Sequence, residues 1–560
     1  HNFAWDLSYT YGELQNTNQE TGFDKLRFSH ALDAVVDTAG LVNGRPGEIV
    51  CRVRLIGAQG LPIANYNPFD SRATYAPTDP EVAQCVPINM FGDGNQTPEA
   101  LEFISADITV RETNEQEDAV AAVSGQLWDF FGAGAMGVAF GAEYRREYTE
   151  GVGRDRDTAG RFLQLNTGAD FPAAEYESEE LFAEMSLPFI RDSWMGEYAE
   201  LSASFRQFDY TTAGEGDVYG VNLIYRPIQD ITFKSSFNTS FRAPNLSENF
   251  RPRSQTFANG FSDPCDTRVI TGTGVTADQR ANRIANCTAL AAARGLTFDF
   301  SGATPSTTDD FRPTYSSGIA GVSGGNPTLK PEESESFTFS TVLEPRFFPN
   351  LAIILDYYEI EITDVIATVS AQVLANQCVD GPSLNPLACG VIFRNNPTTG
   401  DGVFDQFKVG APTGDPIGGF IIGSFNYAKR ETRGLDFTIR YSLDTEEVWG
   451  KNWGTFNWNL GGLWLIDQQN FNDAVNPSAF TESSTSLFFP RVRFTSRLAW
   501  APTDDLTITW TADWQTSQDI NKYRDIVNTG NIDGIPPQGY ETGNFARQDL
   551  SVRYNINAEL

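Results

Sequence analysis

The nonapeptide at residues 506–514, LTITWTADW, alternates apolar and polar side chains without interruption. Its even positions hold leucine, isoleucine, tryptophan or alanine, and its odd positions hold threonine or aspartate. Successive side chains of a β-strand point to opposite faces of the sheet, so a period of two predicts a strand with one apolar and one polar face.

The same alternation recurs throughout the chain. We count about fifteen such segments of roughly 9 to 15 residues, which is the length that a tilted strand needs to cross a membrane. The clearest examples besides the nonapeptide are 219–225, 231–242, 435–443, 456–464 and 491–500. The even-numbered aromatic residues of 491–500 and 506–514 are predicted to face lipid.

Short and very long connections alternate between these segments. Short turns lie at 226–230, 344–350 and 501–505, and the long connections run approximately over 43–100, 243–333, 364–426, 466–490 and 516–546. A soluble β-sandwich rarely places tens of irregular residues after every second strand, whereas an outer-membrane barrel does so routinely. The sequence therefore predicts an all-β protein, an antiparallel transmembrane β-barrel with long extracellular loops. Alternation alone leaves a soluble sandwich as the alternative.

Composition excludes some partners. The chain has 560 residues with 40 Lys+Arg against 73 Asp+Glu, giving a formal charge of −33, so it repels phosphate backbones and nucleic acid is not an expected partner.

The mean hydropathy of −0.31 is typical of a soluble protein, but a barrel hides its lipid face in every second residue. The chain begins without methionine or a signal peptide, and we expect it to be a fragment of a longer protein.

The six cysteines form three neighbouring pairs in sequence, each inside one long connection. Six cysteines allow fifteen pairings, but pairing within each loop closes the shortest segments. We therefore expect extracellular disulfides in an oxidising compartment. The expected pairs are Cys51–Cys85, Cys265–Cys287 and Cys378–Cys389. A zinc site is disfavoured, because no CxxC spacing occurs and the chain has 2 histidines.

Several motifs together resemble one known family. The stretch 241–250, FRAPNLSENF, resembles the "FRAPxLxELF" element of TonB-dependent outer-membrane receptors, and 325–334, GNPTLKPEES, resembles their "GNPxLKPEKS" segment. Residues 356–366 and 426–436 are similar to two strands that follow in the same family order. The motif residues carried over are Arg242, Ala243, Pro244, Asn326, Pro327, Lys330 and Pro331.

The resemblance implies a barrel of roughly 22 strands filled by an N-terminal plug, preceded by a box that pairs with TonB. Neither plug nor box is found, so residues 1–560 are interpreted as a partial barrel domain that about five strands precede and two follow. It also implies a Gram-negative outer-membrane location, contact with lipid and lipopolysaccharide, and import of a scarce nutrient powered by TonB and the proton gradient. The family is not one of enzymes.

The end of the strand 231–242 follows from its residues. Its apolar side chains, Phe241 included, are expected to face lipid, and Arg242 is expected to face the lumen as a paired charge. Pro244 cannot donate to a β-ladder and restricts the residue before it, so strand pairing ends there. We interpret this motif as a strand terminator rather than a ligand site.

The ligand is less readable than the fold. Loop aromatics Tyr66, Phe69 and Phe91 are candidates for stacking on sugars, although exposed loop aromatics also serve packing. Acidic runs at 112–118 and 504–505, read as loops, are candidates for a divalent cation, with a solvated acidic face as the alternative. No other cofactor is expected. An anionic ferric siderophore prefers basic surface, so the charge favours carbohydrate or another neutral nutrient.

Two other classes were weighed. A barrel enzyme needs a catalytic group such as histidine at the rim, and His30 shares a predicted strand face with Leu26, Phe28 and Leu32, which favours a packing role. A passive porin is the closer alternative, and the presence of a plug upstream distinguishes the two.

Overall fold

A computed structural model of the chain describes residues 2–64, 74–154, 169–272, 274–293, 295–303, 309–313, 318–394, 419–472, 478, 480–520 and 541–556. One large sheet of 17 strands dominates it. In chain order the described strands are β1 (Phe3–Phe23), β2 (Ala34–Asp37), β3 (Glu48–Cys51), β4 (Ile63–Ala64), β5 (Thr74–Tyr75), β6 (Ser105–Gln126), β7 (Gly137–Val152), β8 (Phe171–Ser193), β9 (Gly196–Tyr210), β10 (Gly214–Ile228), β11 (Ile231–Arg242), β12 (Ser254–Asn259), β13 (Gly318–Gly324), β14 (Glu332–Leu343), β15 (Leu351–Thr368), β16 (Ile421–Asp444), β17 (Thr455–Phe471), β18 (Thr481–Glu482), β19 (Val492–Thr503), β20 (Leu506–Gln515) and β21 (Phe545–Tyr554).

The long strands form one antiparallel ladder in which each strand pairs with the next long strand along the chain. Pairing runs from β1 through β6 to β11, continues from β14 to β17, and ends with β19, β20 and β21. Within the described residues, β1 pairs with β6 and β21 pairs with β20. The first strand runs from Phe3 to Phe23.

Cross-strand register shows that the sheet has one apolar and one polar face. In neighbouring strands Trp458 stands opposite Leu498, Leu498 opposite Trp510 and Trp510 opposite Leu550. One residue away, on the other face, the row reads Asn459, Arg497, Thr511 and Asp549. The predicted strands at 231–242, 435–443, 491–500 and 506–514 are therefore confirmed, apart from Arg491, which lies just before β19.

Short connections at one end of the sheet and long connections at the other agree with the sequence prediction. At one end, β10 and β11, β14 and β15, and β19 and β20 are joined by short turns. At the other end the long connections are partly ordered, with helices and short strands, rather than irregular. The helices described in these connections are α1 (Lys25–Leu32), α2 (Arg52–Ala58), α3 (Pro80–Ala83), α4 (Pro98–Ile104), α5 (Leu246–Phe250), α6 (Thr267–Ile270), α7 (Ala277–Ala292), α8 (Ala371–Asp380) and α9 (Pro386–Gly390). A further helix, α10 (Thr445–Trp449), joins β16 to β17 at the short-turn end.

None of the helices in the described part of the chain is long and apolar enough to span a membrane. Each long connection that holds a cysteine pair forms the disulfide expected from the sequence: Cys51–Cys85, Cys265–Cys287 and Cys378–Cys389. The first of these lies in a small cluster of buried apolar residues between α1 and α4.

The other two disulfides belong to a single hydrophobic core that two separate loops build together, which we call the loop core. Phe300 and Phe311 come from the connection between β11 and β14, and Val379 and Phe420 come from the connection between β15 and β16; all four are fully buried. A buried ion pair at 2.7 Å joins Arg394 of the second loop to Asp263 of the first. The two loops therefore fold as one unit rather than as two independently braced loops.

His30 lies on α1, not on a strand as expected. The helix starts at Asp24, whose carboxylate accepts from the backbone N–H groups of Leu26 and Arg27. The His30 ring is buried, lies edge-on to Tyr75 and has its Nδ1 3.1 Å from the carbonyl oxygen of Glu81. It is a packing residue, as the sequence suggested, but in a helical loop.

Candidate functional site

The FRAP motif joins the end of β11 to helix α5. Pro244 is buried directly after the strand, and Asn245 then caps the helix. The Asn245 side chain accepts from the Glu248 N–H at 2.8 Å, while the Glu248 carboxylate accepts from the Asn245 N–H at 2.9 Å. This reciprocal capping box satisfies two backbone donors that a helix N-terminus otherwise leaves unpaired, so the short helix begins at a defined residue.

Arg242 ties this helix to the sheet through two carboxylates. Its Nε and Nη2 donate to Glu332 at 2.8 and 2.7 Å, and its Nη1 and Nη2 donate to Glu248 at 3.0 and 3.2 Å. Glu332 also accepts from the Ile366 N–H at 2.8 Å. A guanidinium suits this role because its planar N–H donors can form bidentate hydrogen bonds with a carboxylate. Arg242 therefore connects β11, α5, β14 and β15.

The GNP segment packs against the same helix. The Gly325 N–H donates to the carbonyl of Arg251 at 2.7 Å, and the Asn326 N–H donates to the carbonyl of Glu248 at 2.8 Å. A Cβ on Gly325 would lie 2.6 Å from the Asn249 carbonyl oxygen and 2.7 Å from the Arg251 nitrogen. Glycine is therefore required here by the close approach of two backbone segments.

Asn426 on β16 fixes the other end of the GNP segment. Its side chain accepts from the Lys330 N–H at 2.7 Å and donates to the Lys330 carbonyl at 2.8 Å and to the Asp364 carbonyl at 2.7 Å. Asn326 adds a bond from its side chain to the Ser424 carbonyl at 3.0 Å. The two motifs thus form one hydrogen-bonded unit, the motif junction, which comprises Arg242–Phe250, Gly325–Glu332 and Asn426.

A cavity of about 750 Å³ adjoins α5 at the long-loop end of the sheet. We call it the mouth cavity. Its walls are β1, β6 and β7 on one side and the start of α5 on the other. Five acidic residues border it, with Glu112 and Glu147 on one face of the sheet and Glu13, Glu115 and Glu150 on the other. Because Arg242 holds α5 in place, the motif junction shapes one wall of this cavity.

Further along the polar face, Arg206 lies in a charged and aromatic cluster that sequence reasoning did not single out. It donates to Glu180 at 2.6 Å, lies 3.2 Å from Glu143, and its guanidinium stacks over Phe182 with 5.1 Å to the ring centroid. Tyr210 also donates to Glu180 at 2.9 Å. Strand alternation in the sequence already places these positions on one face of the sheet. Which of them are neighbours across strands could not be predicted, because that depends on the register of the pairing.

Phe241 corrects one expectation about the faces. It was expected on the lipid side, but its ring lies 4.0 Å from Phe208 and 5.5 Å from Tyr210, centroid to centroid. Phe208 and Tyr210 share the strand face of Arg206. Phe241 therefore packs with the polar-face aromatics and supports the motif junction from inside.

A family model described as TonB dependent receptor-like, beta-barrel, matches residues 2–560. The chain belongs to the TonB-dependent receptor family. Receptors of this family are barrels of the Gram-negative outer membrane, and the family is one of transport receptors.

Solved structures with a similar fold are distant. The siderophore receptor PirA from Acinetobacter baumannii has 14% identity and a TM-score of 0.47, over 81% of this chain and 50% of that one. A mutant ferric enterobactin receptor PfeA from Pseudomonas aeruginosa has 14% identity and a TM-score of 0.44, over 81% and 52%. The hemophore receptor HasR of Serratia marcescens, a double mutant with hemophore HasA and heme, has 12% identity and a TM-score of 0.39, over 81% and 57%. The receptor chain thus spans about half the length of these proteins, and no curated protein matches it.

The remaining motif residues of the receptor have modest roles. Ala243 is half-buried, Pro327 is exposed, and Pro331 is half-buried. Lys330 takes part through its backbone N–H and carbonyl, both of which bond the Asn426 side chain. The interpretation of the motif as a structural strand terminator stays a prediction, now with explicit contacts.

Of the three candidate ligand aromatics, the structure describes Phe91. Phe91 is 86% exposed on the first long loop and does not line the mouth cavity. Tyr66 and Phe69 lie outside the described residues. Their role in ligand binding therefore stays a prediction.

One of the two acidic runs is not where the sequence placed it. Residues 112–118 lie within β6 rather than in a loop, and Arg146 pairs there with Glu115 at 3.5 Å and Glu117 at 3.2 Å. The pair 504–505 forms the short turn between β19 and β20, at the opposite end from the long loops. No group of three potential metal-ligating side chains occurs in the described part of the chain.

Proposed function

We propose that this receptor captures a scarce nutrient at the cell surface and imports it with energy delivered by TonB from the proton gradient. Membership of the family supports outer-membrane transport. The observation that carries the proposal is the motif junction, which holds α5 across the long-loop end of the sheet beside a cavity of about 750 Å³. Such a volume lies within the roughly 300–1,000 Å³ of small-molecule sites.

We further propose a neutral ligand such as a carbohydrate rather than an anionic ferric siderophore. Five acidic residues border the mouth cavity, namely Glu13, Glu112, Glu115, Glu147 and Glu150. A cleft lined by one sign of charge concentrates counter-ions and repels ions of its own sign, whereas a neutral solute is not repelled. Siderophore, ferric enterobactin and heme appear in the descriptions of PirA, PfeA and HasR, and they are ligands of those proteins rather than of this receptor.

The test is uptake of labelled ligand by cells that express the complete receptor. A panel of labelled neutral oligosaccharides is offered, with a ferric catecholate as the anionic comparison. We expect accumulation of a neutral ligand that stops with an uncoupler or after deletion of TonB, while surface binding persists. Uptake that continues without the proton gradient would instead identify a passive porin. Preferential uptake of the ferric catecholate would refute the neutral ligand and leave energy-coupled transport intact.

A further inference from the structure

The wall of the sheet opens between β10 and β11 at its long-loop end. The two strands pair from Ile228 and Ile231 only as far as Gly220 and Asn238. Beyond that point β10 continues along β9 to Gly214, and β11 continues along β14 to Arg242. Residues 214–219 and 239–242 therefore face each other without a ladder between them.

Thr239 stands where the two strands separate. Its hydroxyl accepts from the Tyr219 N–H at 2.9 Å and lies 3.2 Å from the Tyr219 carbonyl oxygen. A side chain thus replaces the neighbouring backbone in the last pairing position. This arrangement ends the ladder at a defined residue, so the separation is built into the sequence rather than produced by fraying.

The space between the strands is a cavity of about 650 Å³, which we call the lateral cleft. Phe241 and Phe208 both line it, and the 4.0 Å contact between their rings closes it towards the polar face. Its side walls carry six carboxylates against one lysine, Lys330. The carboxylates are Glu215, Asp217, Glu333, Glu335, Glu361 and Asp364.

The carboxylates follow the period of a strand. Glu215 and Asp217 are two residues apart on β10, and Glu333 and Glu335 are two residues apart on β14, so each pair lies on one face of its strand. Glu335 also stands opposite Glu361 across the ladder. Like charges in that position repel each other, and Lys429, 3.4 Å from Glu361, offsets this only in part.

We propose that the lateral cleft binds an extended basic segment of a partner protein, which adds as a strand between β10 and β11. Unpaired strand edges are templates for an added strand, whose backbone supplies the affinity and whose alternate side chains supply the specificity. Lysine or arginine at every second position meets the carboxylates of both walls. The free edges select a peptide over a lone cation, and the charge selects a basic peptide over an acidic one.

The test measures binding of a labelled peptide to the purified full chain in detergent by fluorescence anisotropy. The probe is a hexapeptide that alternates lysine and valine. The first comparison is the same peptide with N-methyl groups on alternate residues, which keeps the charge but removes backbone donors. We expect N-methylation to weaken binding by about tenfold or more, because main-chain hydrogen bonds carry strand addition. Equal binding of both peptides would overturn strand addition, and this result needs no protein variant.

The second comparison tests the cleft itself. The double variant Glu333→Gln with Glu335→Gln is expected to weaken binding by about tenfold, since fewer charge pairs remain. The control, Asp504→Asn with Asp505→Asn, removes the same number of charges at a short turn and should leave the affinity unchanged. Equal losses in both variants would place the peptide elsewhere on the acidic surface and overturn the assignment.

Discussion

Replacement of Arg242 by alanine tests the motif junction most directly. The change removes four charge-assisted hydrogen bonds and leaves Glu248 and Glu332 facing each other without a cation. The carboxylates are largely buried, with side chains 21% and 14% exposed, whereas the arginine is 43% exposed. The cost therefore lies between that of an exposed ion pair and that of a broken buried one, at about 2 kcal/mol.

A local loss of about 2 kcal/mol raises the open population of the junction about thirtyfold, since about 1.4 kcal/mol corresponds to a factor of ten. Hydrogen exchange measured by mass spectrometry should therefore be about thirtyfold faster in α5 and at Ile366, whose N–H donates to Glu332. Strands β19 and β20 should exchange as before, because they do not contact the junction. The matched control is Arg346→Ala, which breaks an exposed 2.8 Å pair with Asp230 at a short turn.

The conservative variant Arg242→Lys separates charge from geometry. Lysine keeps the positive charge but cannot offer two parallel donors to each carboxylate. We expect intermediate exchange in α5. If Arg242→Ala exchanges no faster in α5 than Arg346→Ala does, the arginine does not hold the helix and the reasoning about the mouth cavity is refuted.

Three further changes test other parts of the structure. Gly325→Ala places a Cβ 2.6 Å from the Asn249 carbonyl oxygen, so α5 should exchange faster, whereas Gly461→Ala, with open space around its Cβ, should not change exchange. Arg394→Met removes the cation beside the fully buried Asp263 carboxylate, which keeps the hydrogen bond from the Cys265 N–H, at a cost of about 3–5 kcal/mol. Limited proteolysis should then cut the loop core while the strands stay intact, and an uncut loop core would contradict its dependence on that pair. The Val42 N–H, donating at 2.8 Å, holds the pKa of Asp37 below its usual 3.8. Because the pKa of Asp37 is lower in the folded than in the unfolded chain, this stabilisation is present above pH 3.8 and is lost as the pH falls through the folded pKa. Hydrogen exchange in residues 37–47 of the native chain should therefore accelerate in that acidic range. An identical acid response in Asp37→Asn would contradict the assignment.

The sequence by itself determined the strands and the class of the fold. The alternation with a period of two is a property of each strand's own sequence. Residues 491–514 therefore predict the apolar and polar faces of β19 and β20 without knowledge of the neighbouring strands. The alternation of short turns and long connections then indicated a barrel. The disulfides followed for a similar reason, since each joins cysteines within one loop, at separations of 34, 22 and 11 residues.

Local pattern was misleading where strands extend beyond the expected length. The run 112–118 is acidic and reads as a loop, yet it continues β6, because its neighbours on β1 and β7 pair with it along its whole length. His30 shows the opposite case, since apolar spacing suggested a strand while capping by Asp24 produced a helix. In the first case a partner elsewhere in the molecule overrides local propensity, and in the second a local cap decides between helix and strand.

Only the tertiary structure decided how distant segments meet. The loop core brings together Phe311 and Phe420, and the motif junction joins Arg242 to Glu332, at a sequence separation of 90. The position of Phe241 against Phe208 and the separation of β10 from β11 depend in the same way on which strands are neighbours. Periodicity specifies which way a side chain points but not what it will touch, because contacts between segments far apart in sequence arise only when the whole sheet is assembled.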